Sequence, residues 1–277
     1  MILFDNHMHL RRDGRFIDAI KEFKQAGGTH FVLCQYPMTS ILINEKSYRS
    51  CYLETIKMAD EIKAKLNIGV FVTIGPYPVD FIRLIEKFER ESAINIMKKG
   101  IDEAANFCQE GLSIAIGEIG RPHFLVSNQI ISDSNDILFY GMQKAKDVDV
   151  PVVLHTERTT PKNCQELVEM GKKAGLKPGK IVKHFSPSLI LKSENYGLMP
   201  SVLASEKNII SSIKKGTRFL LETDYIDDPK RPGAVLGPKT VPKKTLSLLK
   251  QEILNEDQIL KIHKENPEKT YNICLDG

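Results

Sequence analysis

The first ten residues, MILFDNHMHL (1–10), join a short apolar run to two histidines one residue apart, His7 and His9. In a strand, residues i and i+2 point to the same face, so the two imidazoles lie side by side. Core packing requires no imidazole there, whereas a zinc-like metal ion needs nitrogen donors within a few ångströms of each other. The segment therefore predicts a strand whose end supplies metal ligands.

Apolar runs that end in a metal-competent side chain recur along the chain. The further candidates are Glu118 in LSIAIGEIG (112–120), His155 in VPVVLH (150–155), His184 in GKIVKH (179–184) and Asp224 in FLLETD (219–224). A single histidine or acid at a strand end is usually just a polar residue. Its repetition at the ends of five apolar runs favours a shared site.

Short apolar or β-branched runs alternate with amphipathic helical stretches from end to end, which predicts a parallel sheet. A single helix is predicted over Asp80–Ile96. Eight strands and the length of the chain predict one domain over 1–277, an α/β (β/α)8 TIM barrel of the metallo-dependent hydrolase type. An open doubly wound sheet is disfavoured because GxGxxG and GxxxxGK[ST] are both absent. The predicted strands are Ile2–Asn6, Thr29–Cys34, Ile68–Ile74, Leu112–Glu118, Val150–His155, Lys180–His184, Gly197–Leu203 and Thr217–Thr223.

The composition is that of an ordinary globular protein, with 42% hydrophobic and 27% charged residues. A net charge of +4, from 39 basic and 35 acidic residues, is too balanced for a nucleic-acid coat. No apolar run approaches about 18 residues, so no membrane span is predicted. The five cysteines are scattered without CxxC and follow no secretory signal, which indicates a cytoplasmic protein. The sequence specifies no oligomeric state.

The candidate ligands comprise four imidazoles and two carboxylates, a set that suits zinc, iron or manganese better than an all-oxygen site. In a barrel the carboxyl ends of all strands face one mouth, so the six side chains would converge there. Six ligands exceed one tetrahedral shell and suit two ions about 3.5–4 Å apart with a bridging carboxylate. We expect two divalent metal ions, with zinc favoured and magnesium, manganese or iron as alternatives.

The DxHxHL opening, GEIG (117–120), the runs into His155 and His184 and the closing LLETD (220–224) resemble the TatD-type branch of the amidohydrolase superfamily. The order of these motifs and their approximate spacing agree with that branch over nearly the whole chain. The resemblance implies a metal-dependent deoxyribonuclease activity and a barrel fold. It also implies that one metal is held by His7, His9 and Asp224 and the other by His155 and His184, with Glu118 bridging.

The sequence departs from the family pattern where substrate contacts are expected. Arg121-Pro122-His123 replaces an aspartate-aromatic pair, and Thr156-Glu157-Arg158 replaces a Ser-Arg pair. The loop after Asp224 is rich in lysine, and loops after the last barrel strands often bind phosphate. Because guanidinium groups match phosphate oxygens, these segments supply the candidate substrate contacts. They are Arg121, His123, Arg158, Lys230 and Arg231.

Three functions follow from these residues. The first is a phosphodiesterase or deoxyribonuclease, with DNA as the candidate partner, in which a metal-activated water attacks phosphorus. Asp224 would orient that water and accept its proton, and Glu118 would join the two metals. The second is a metal-dependent hydrolase of a lactone, amide or cyclic imide. The third is a metal-binding protein without turnover.

Two other histidines fall outside this pattern. His30 begins a strand at the face opposite the mouth and is predicted to be structural. His263 lies in a C-terminal helical segment and is predicted to be solvated.

Overall fold

One parallel sheet of nine strands organises residues 1–275, which are the residues that this computed structural model describes. The last two residues of the predicted 1–277 domain, Asp276 and Gly277, lie outside the described residues. The strands are β1 Phe4–His9, β2 His30–Cys34, β3 Gly69–Ile74, β4 Ala115–Gly120, β5 Val152–His155, β6 Ile181–Ser186, β7 Met199–Leu203, β8 Leu220–Glu222 and β9 Tyr225–Ile226.

The strand order is β8-β7-β6-β5-β4-β3-β2-β1-β9, so nearly every strand neighbours the next one in the chain. β8 and β9 lie at opposite ends of this order, although only Thr223 and Asp224 separate them in sequence. β8 pairs with β7 (Ser201↔Leu220), and β9 pairs with β1 (Met8↔Tyr225). The α/β class and the curled parallel sheet are confirmed. The predicted eighth strand, Thr217–Thr223, contains only the shorter β8, and β9 lies beyond the predicted range, after Thr223 and Asp224.

Helices connect the strands. No helix among residues 1–275 is long and apolar enough to cross a membrane. A 3₁₀ turn at Pro178–Lys180 and a π-helical turn at Lys261–Glu265 complete the set. The α-helices are α1 Ile17–Gln25, α2 Thr39–Glu45, α3 Arg49–Leu66, α4 Pro78–Ile85, α5 Arg90–Gln109, α6 Asn128–Asp147, α7 Pro161–Lys173, α8 Lys192–Asn195, α9 Glu206–Ile213, α10 Thr240–Lys250, α11 Glu256–Leu260 and α12 Asn266–Tyr271.

The prediction of a single helix over Asp80–Ile96 is wrong, because the helical structure is interrupted between α4 and α5. After α4, the backbone N–H groups of Lys87 and Phe88 both donate to Leu84 O, at 3.0 and 2.8 Å. This tight turn keeps Phe88 packed against the core. The apolar spacing therefore continues through a break in the helix.

β1 is shifted from its predicted position, Ile2–Asn6, and runs to His9 with every residue buried. Its polar residues have hydrogen-bond partners both within the strand and in distant parts of the chain, although Asp5 Oδ2 is buried without one. Asp5 Oδ1 accepts hydrogen bonds from His7 N at 3.1 Å and Thr223 N at 3.0 Å. Asn6 Oδ1 accepts one from the Tyr271 hydroxyl at 2.9 Å. Such pairing offsets the cost of burying polar groups, so the strand continues beyond its apolar start.

The largest apolar cluster lies where the helices pack on the outer side of the strands. On the inner side, the C-terminal residues Tyr271 and Leu275 pack against residues of several strands. These partners are Ala115, Val153, Val182, Met199 and Leu220 for Tyr271, and Phe4, Val32 and Cys34 for Leu275.

His263 is buried, which corrects the prediction that it is solvated; its exposed fraction is 1%. Its Nδ1 accepts a hydrogen bond from Phe4 N at 3.0 Å, and its Nε2 lies 3.0 Å from Thr245 Oγ1. Burial lowers the pKa of His263 from 6.5 to about 4. The neutral imidazole thus ties β1 to α10.

We expect His263 to make the stability of the fold depend on pH. The unfolded chain binds more protons at this histidine between its unfolded pKa of 6.5 and its folded pKa of about 4. Stability is therefore lost as pH falls through this window, by about 3 kcal/mol over the whole interval. Urea unfolding at pH 7 and pH 4.5 should show a smaller loss for His263→Gln than for the unsubstituted protein. Equal losses would contradict this role.

Candidate metal centre

The structure brings all six predicted ligands together at the carboxyl ends of the strands. Five of the six are buried, and His155 is partly buried. β1, β4, β5 and β6 each supply ligands, and the last one lies at the break between β8 and β9. The six are His7, His9, Glu118, His155, His184 and Asp224.

One group of donors consists of His7, His9 and Asp224. The two Nε2 atoms are 3.1 Å apart, and Asp224 Oδ1 lies 3.9 Å from His7 Nε2 and 3.8 Å from His9 Nε2. His9 Nδ1 lies 3.2 Å from the carbonyl oxygens of both Cys34 and Gln35, so it carries the proton. His9 Nε2 therefore presents a lone pair to the group, as a metal ligand must.

A second group surrounds Glu118. Its Oε1 lies 2.9 Å from His184 Nε2 and 3.0 Å from His155 Nδ1, and these two nitrogens are 3.0 Å apart. Its Oε2 faces the first group, 3.4 Å from His9 Nε2 and 3.7 Å from His7 Nε2. One carboxylate thus has an oxygen on each side, the arrangement of a bridging ligand.

The charges of the cluster match a bound cation. Burial disfavours a charge on Glu118, but His184 and His7 outweigh it and hold the pKa of Glu118 well below its usual range. Burial likewise opposes a charge on His184, but Glu118 and Glu222 outweigh it and raise its pKa to about 10. The buried carboxylates therefore favour a positive charge within the cluster. A divalent ion bound by these donors would supply that charge.

Asp224 lies where the strand break exposes it to the site. Its backbone is left-handed, with a φ of 48°, which is uncommon for a residue other than glycine. Burial raises the pKa of Asp224 to about 6 against the lowering effect of His184 and His7. The carboxylate is therefore a stronger base than an exposed aspartate.

Glu222 is a site residue that the sequence reasoning missed. Its fully buried carboxylate in β8 places Oε1 3.6 Å from His184 Nδ1, and the same oxygen accepts a hydrogen bond from Phe185 N at 2.6 Å. Ser201 donates its hydroxyl to the other oxygen. At 3.6 Å this is an ion-pair contact without a hydrogen bond, so Glu222 acts on His184 through its negative charge, which raises the basicity of the imidazole. The available signal was an acid inside the apolar run FLLETD, two residues before Asp224.

Glu222→Gln should weaken metal binding about 10–100-fold, because His184 loses the negative charge behind it. Zinc affinity can be measured by competition with a chelating indicator. Glu206→Gln is the matched control, since Glu206 is an exposed residue paired with Lys244. Unchanged zinc affinity in a folded Glu222→Gln protein would reduce Glu222 to a packing role.

A cavity of about 570 Å³ opens beside the donors. Its floor includes three of the predicted ligands, and its walls carry both cationic and apolar side chains. The lining residues are His123, His155, Thr156, Glu157, Arg158, Lys183, His184, Phe185, Ser186, Pro187, Leu203, Asn208 and Asp224.

Two of the five predicted substrate contacts line this cavity, His123 and Arg158. His123 Nδ1 lies 2.8 Å from His155 Nε2. Arg121 is placed differently, because only 7% of it is exposed and its guanidinium donates to Glu157 Oε1 at 2.6 Å. Arg121 therefore supports the wall of the cavity from behind.

Lys230 and Arg231 are exposed on the loop after β9 and do not line the cavity. Arg231 Nε pairs with Asp228 Oδ2 at 2.9 Å. The neighbouring Asp227 accepts hydrogen bonds from the backbone of Arg15 and Phe16, which fixes the loop to the segment before α1. The acids of this loop therefore hold its position.

A curled parallel sheet with a cluster of imidazoles and carboxylates at the carboxyl ends of its strands defines a class of metal-dependent hydrolases. The chain belongs to the TatD related DNase family, whose sequence model matches residues 4–272.

Similar proteins cover nearly the whole chain. Uncharacterized protein MJ1127 of Methanocaldococcus jannaschii is 37% identical over 283 residues, covering 98% of this chain and 96% of the relative. The structure of YJJV, a TatD homologue from Escherichia coli K12, has a TM-score of 0.65 at 18% identity and 98% coverage of both chains. The phosphotriesterase homology protein of Escherichia coli, complexed with phosphate in its active site, has a TM-score of 0.67 at 12% identity, with 97% of this chain and 98% of that chain covered. Both structures share the fold.

Proposed function

We propose that this protein is a two-metal phosphodiesterase that hydrolyses DNA. The observation that carries the proposal is Glu118, whose two carboxylate oxygens face two separate groups of donors. Membership of the TatD related DNase family supports the reaction. The phosphotriesterase homology protein, which shares the fold, is complexed with phosphate in its active site, which is compatible with a phosphodiester substrate.

The domain organisation is also proposed. We infer that residues 1–277 form one (β/α)8 barrel in which β8 and β9 together take the eighth position. Two pairings support this, since β8 continues the sheet from β7 and β9 continues it from β1. The carboxyl ends of all strands then face one mouth, where the six donors lie.

One divalent ion would be held by His7, His9 and Asp224. The other would be held by His155 and His184, and Glu118 would bind both ions. When bound, such a pair lowers the pKa of water and stabilises charge on the attacked phosphoryl group. The nitrogen-rich set favours zinc over magnesium, with manganese and iron also compatible.

Asp224 is the residue that we propose as the base. It lines the cavity floor, where it can orient the attacking water and accept its proton. Glu118 keeps its charge in the cluster and holds the two groups of donors in register.

Cationic side chains on the cavity wall fit a phosphodiester. Arg158 and Lys183 both line the cavity, and Lys183 Nζ is fixed by donating to His184 O at 2.6 Å. Arg158 is exposed and can oppose the negative charge that develops on the phosphoryl oxygens, whereas Lys183 is 2% exposed and burial lowers its pKa to about 8.

The wall formed by Phe185, Pro187 and Leu203 favours a second candidate, hydrolysis of an apolar lactone, amide or cyclic imide. A substrate panel separates the candidates. Protein reconstituted with zinc, manganese or magnesium would be assayed on a DNA oligonucleotide, on bis(4-nitrophenyl) phosphate and on a series of lactones and imides. Turnover of both phosphodiesters that a chelator abolishes is the expected result. Turnover of carbonyl substrates alone would overturn the proposal, and bound metal without any turnover would favour a metal-binding protein.

A further inference from the structure

Cys34 lies behind the first group of donors, at the end of β2, and is buried. It is aligned with His9 in the pairing of β1 with β2. Its carbonyl oxygen lies 3.2 Å from His9 Nδ1, and its sulfur lies 3.2 Å from His7 Nδ1. One residue of β2 thus contacts the Nδ1 atoms of both histidines of β1.

The two nitrogens of the His7 ring have different surroundings. Nε2 lies 3.1 Å from His9 Nε2 and 3.9 Å from Asp224 Oδ1, which are the other donors of its group. Nδ1 faces the sulfur of Cys34. Nε2 is therefore the atom that can bind a metal ion, and a neutral imidazole that binds through Nε2 carries its proton on Nδ1.

A proton on His7 Nδ1 needs an acceptor, because His7 is fully buried and a buried polar group without a partner is costly. The free N–H of a ligating histidine commonly donates to a carboxylate, a backbone carbonyl or water. His9 follows this rule, since its Nδ1 faces the carbonyl oxygens of Cys34 and Gln35. The partner of His7 Nδ1 is instead a thiol, which is a weak donor as well as a weak acceptor.

The direction of this hydrogen bond decides whether His7 can act as a ligand. If the thiol donated to Nδ1, the imidazole proton would be on Nε2, where it would block a metal ion. If Nδ1–H donates to the sulfur, Nε2 keeps its lone pair. A carbonyl partner, as at His9, only accepts and so favours one tautomer, whereas a thiol permits both. Metal binding at Nε2 then selects the tautomer in which the sulfur accepts.

We propose that Cys34 is a positioning residue of the metal centre, whose sulfur accepts a hydrogen bond from His7 Nδ1–H and so directs Nε2 to the metal ion. Within residues 1–275, Cys34 belongs to neither group of donors, so this role is distinct from ligation. The inference rests on the metal centre of the proposed function and is independent of the substrate.

Two substitutions at this position test the contact through zinc affinity, measured by competition with a chelating indicator. Cys34→Ala removes the acceptor and should weaken binding of one of the two zinc ions about 10–100-fold. Cys34→Ser supplies a hydroxyl acceptor and should restore most of that affinity. Cys164→Ala is the matched control, because Cys164 is also fully buried but lies in α7, outside the donor groups of residues 1–275. It should bind zinc like the unsubstituted protein.

The position of the proton is a second readout, which a packing role alone would not change. Protein labelled with ¹⁵N in histidine would be studied by long-range ¹H–¹⁵N correlation, which distinguishes protonated from unprotonated ring nitrogens. The His7 signals are identified by their loss in His7→Gln. We expect the zinc-loaded unsubstituted protein to have a His7 Nδ1–H that exchanges slowly with water, and Cys34→Ala to exchange it faster.

A proton on His7 Nε2 in the zinc-loaded protein would overturn the inference. Unchanged zinc affinity in a folded Cys34→Ala protein, or an affinity in Cys34→Ser that falls 10–100-fold, would also overturn it. If Cys34→Ala does not fold, the serine variant and the correlation spectrum of the unsubstituted protein give the decision. Failure of the proposed function gives a different result, namely zinc-loaded protein that leaves DNA and bis(4-nitrophenyl) phosphate intact. The proton on His7 would still report the role of Cys34.

Discussion

Asp224→Asn is expected to lower turnover of bis(4-nitrophenyl) phosphate by about 10²–10⁴-fold, the usual loss when a general base is removed. Asparagine keeps the size of the side chain and one ligating oxygen but has neither the charge nor the basicity. The effect should appear in kcat, because proton transfer from water occurs in the chemical step and not in substrate binding.

The control for this prediction is Asp228→Asn, the same substitution four residues further on. Asp228 pairs with Arg231 and does not line the cavity. The metal content of both variants would be measured by elemental analysis before the assay. Turnover like that of the unsubstituted protein in a fully metal-loaded Asp224→Asn protein would remove Asp224 from the mechanism.

Much of the arrangement could be predicted from sequence because strand ends carry the information. A short apolar run that stops at a histidine or an acid marks the carboxyl end of a strand, and parallel strands bring those ends to one side. His155 and His184, which end such runs, illustrate this, and their Nδ1 and Nε2 atoms lie 3.0 Å apart in the structure. The role of these side chains as metal ligands stays a prediction that metal analysis must test.

The features that sequence reasoning missed depend on contacts between distant residues. β1 extends beyond its apolar start because Asp5 accepts a hydrogen bond from Thr223, 218 residues away. His263 is buried because it pairs with the backbone of Phe4, 259 residues away. A local pattern contains no information about such a partner, so a polar residue is assigned to solvent by default.

Glu222 and Arg121 show the same limit at the site. Each charge is buried against a partner from another strand or loop, His184 for Glu222 and Glu157 for Arg121. An arginine that follows a predicted metal ligand in sequence can be buried against a carboxylate or can project freely into the cavity. The sequence is the same in both cases. The fold decides between them by placing a carboxylate within 2.6 Å of Arg121.

Replacing His7 and His9 together by alanine should reduce the metal content from about two ions per chain to one or fewer and abolish phosphodiester turnover. Both Nε2 atoms of the first donor group are lost, and Asp224 alone cannot hold an ion tightly. Glu118, His155 and His184 remain within 3.0 Å of one another in the second group. Elemental analysis after reconstitution and dialysis measures the result.

The remaining ion should itself bind more weakly than in the unsubstituted protein, because His7 also lies within reach of Glu118 and His184. His30→Ala is the histidine control, since His30 lies at the opposite end of β2 from the donors and should leave two ions bound. Two tightly bound ions in the double variant would place the first metal elsewhere. A single ion in the unsubstituted protein, lost completely in the double variant, would show a mononuclear centre in which Glu118 bridges nothing and two-metal activation of water is ruled out.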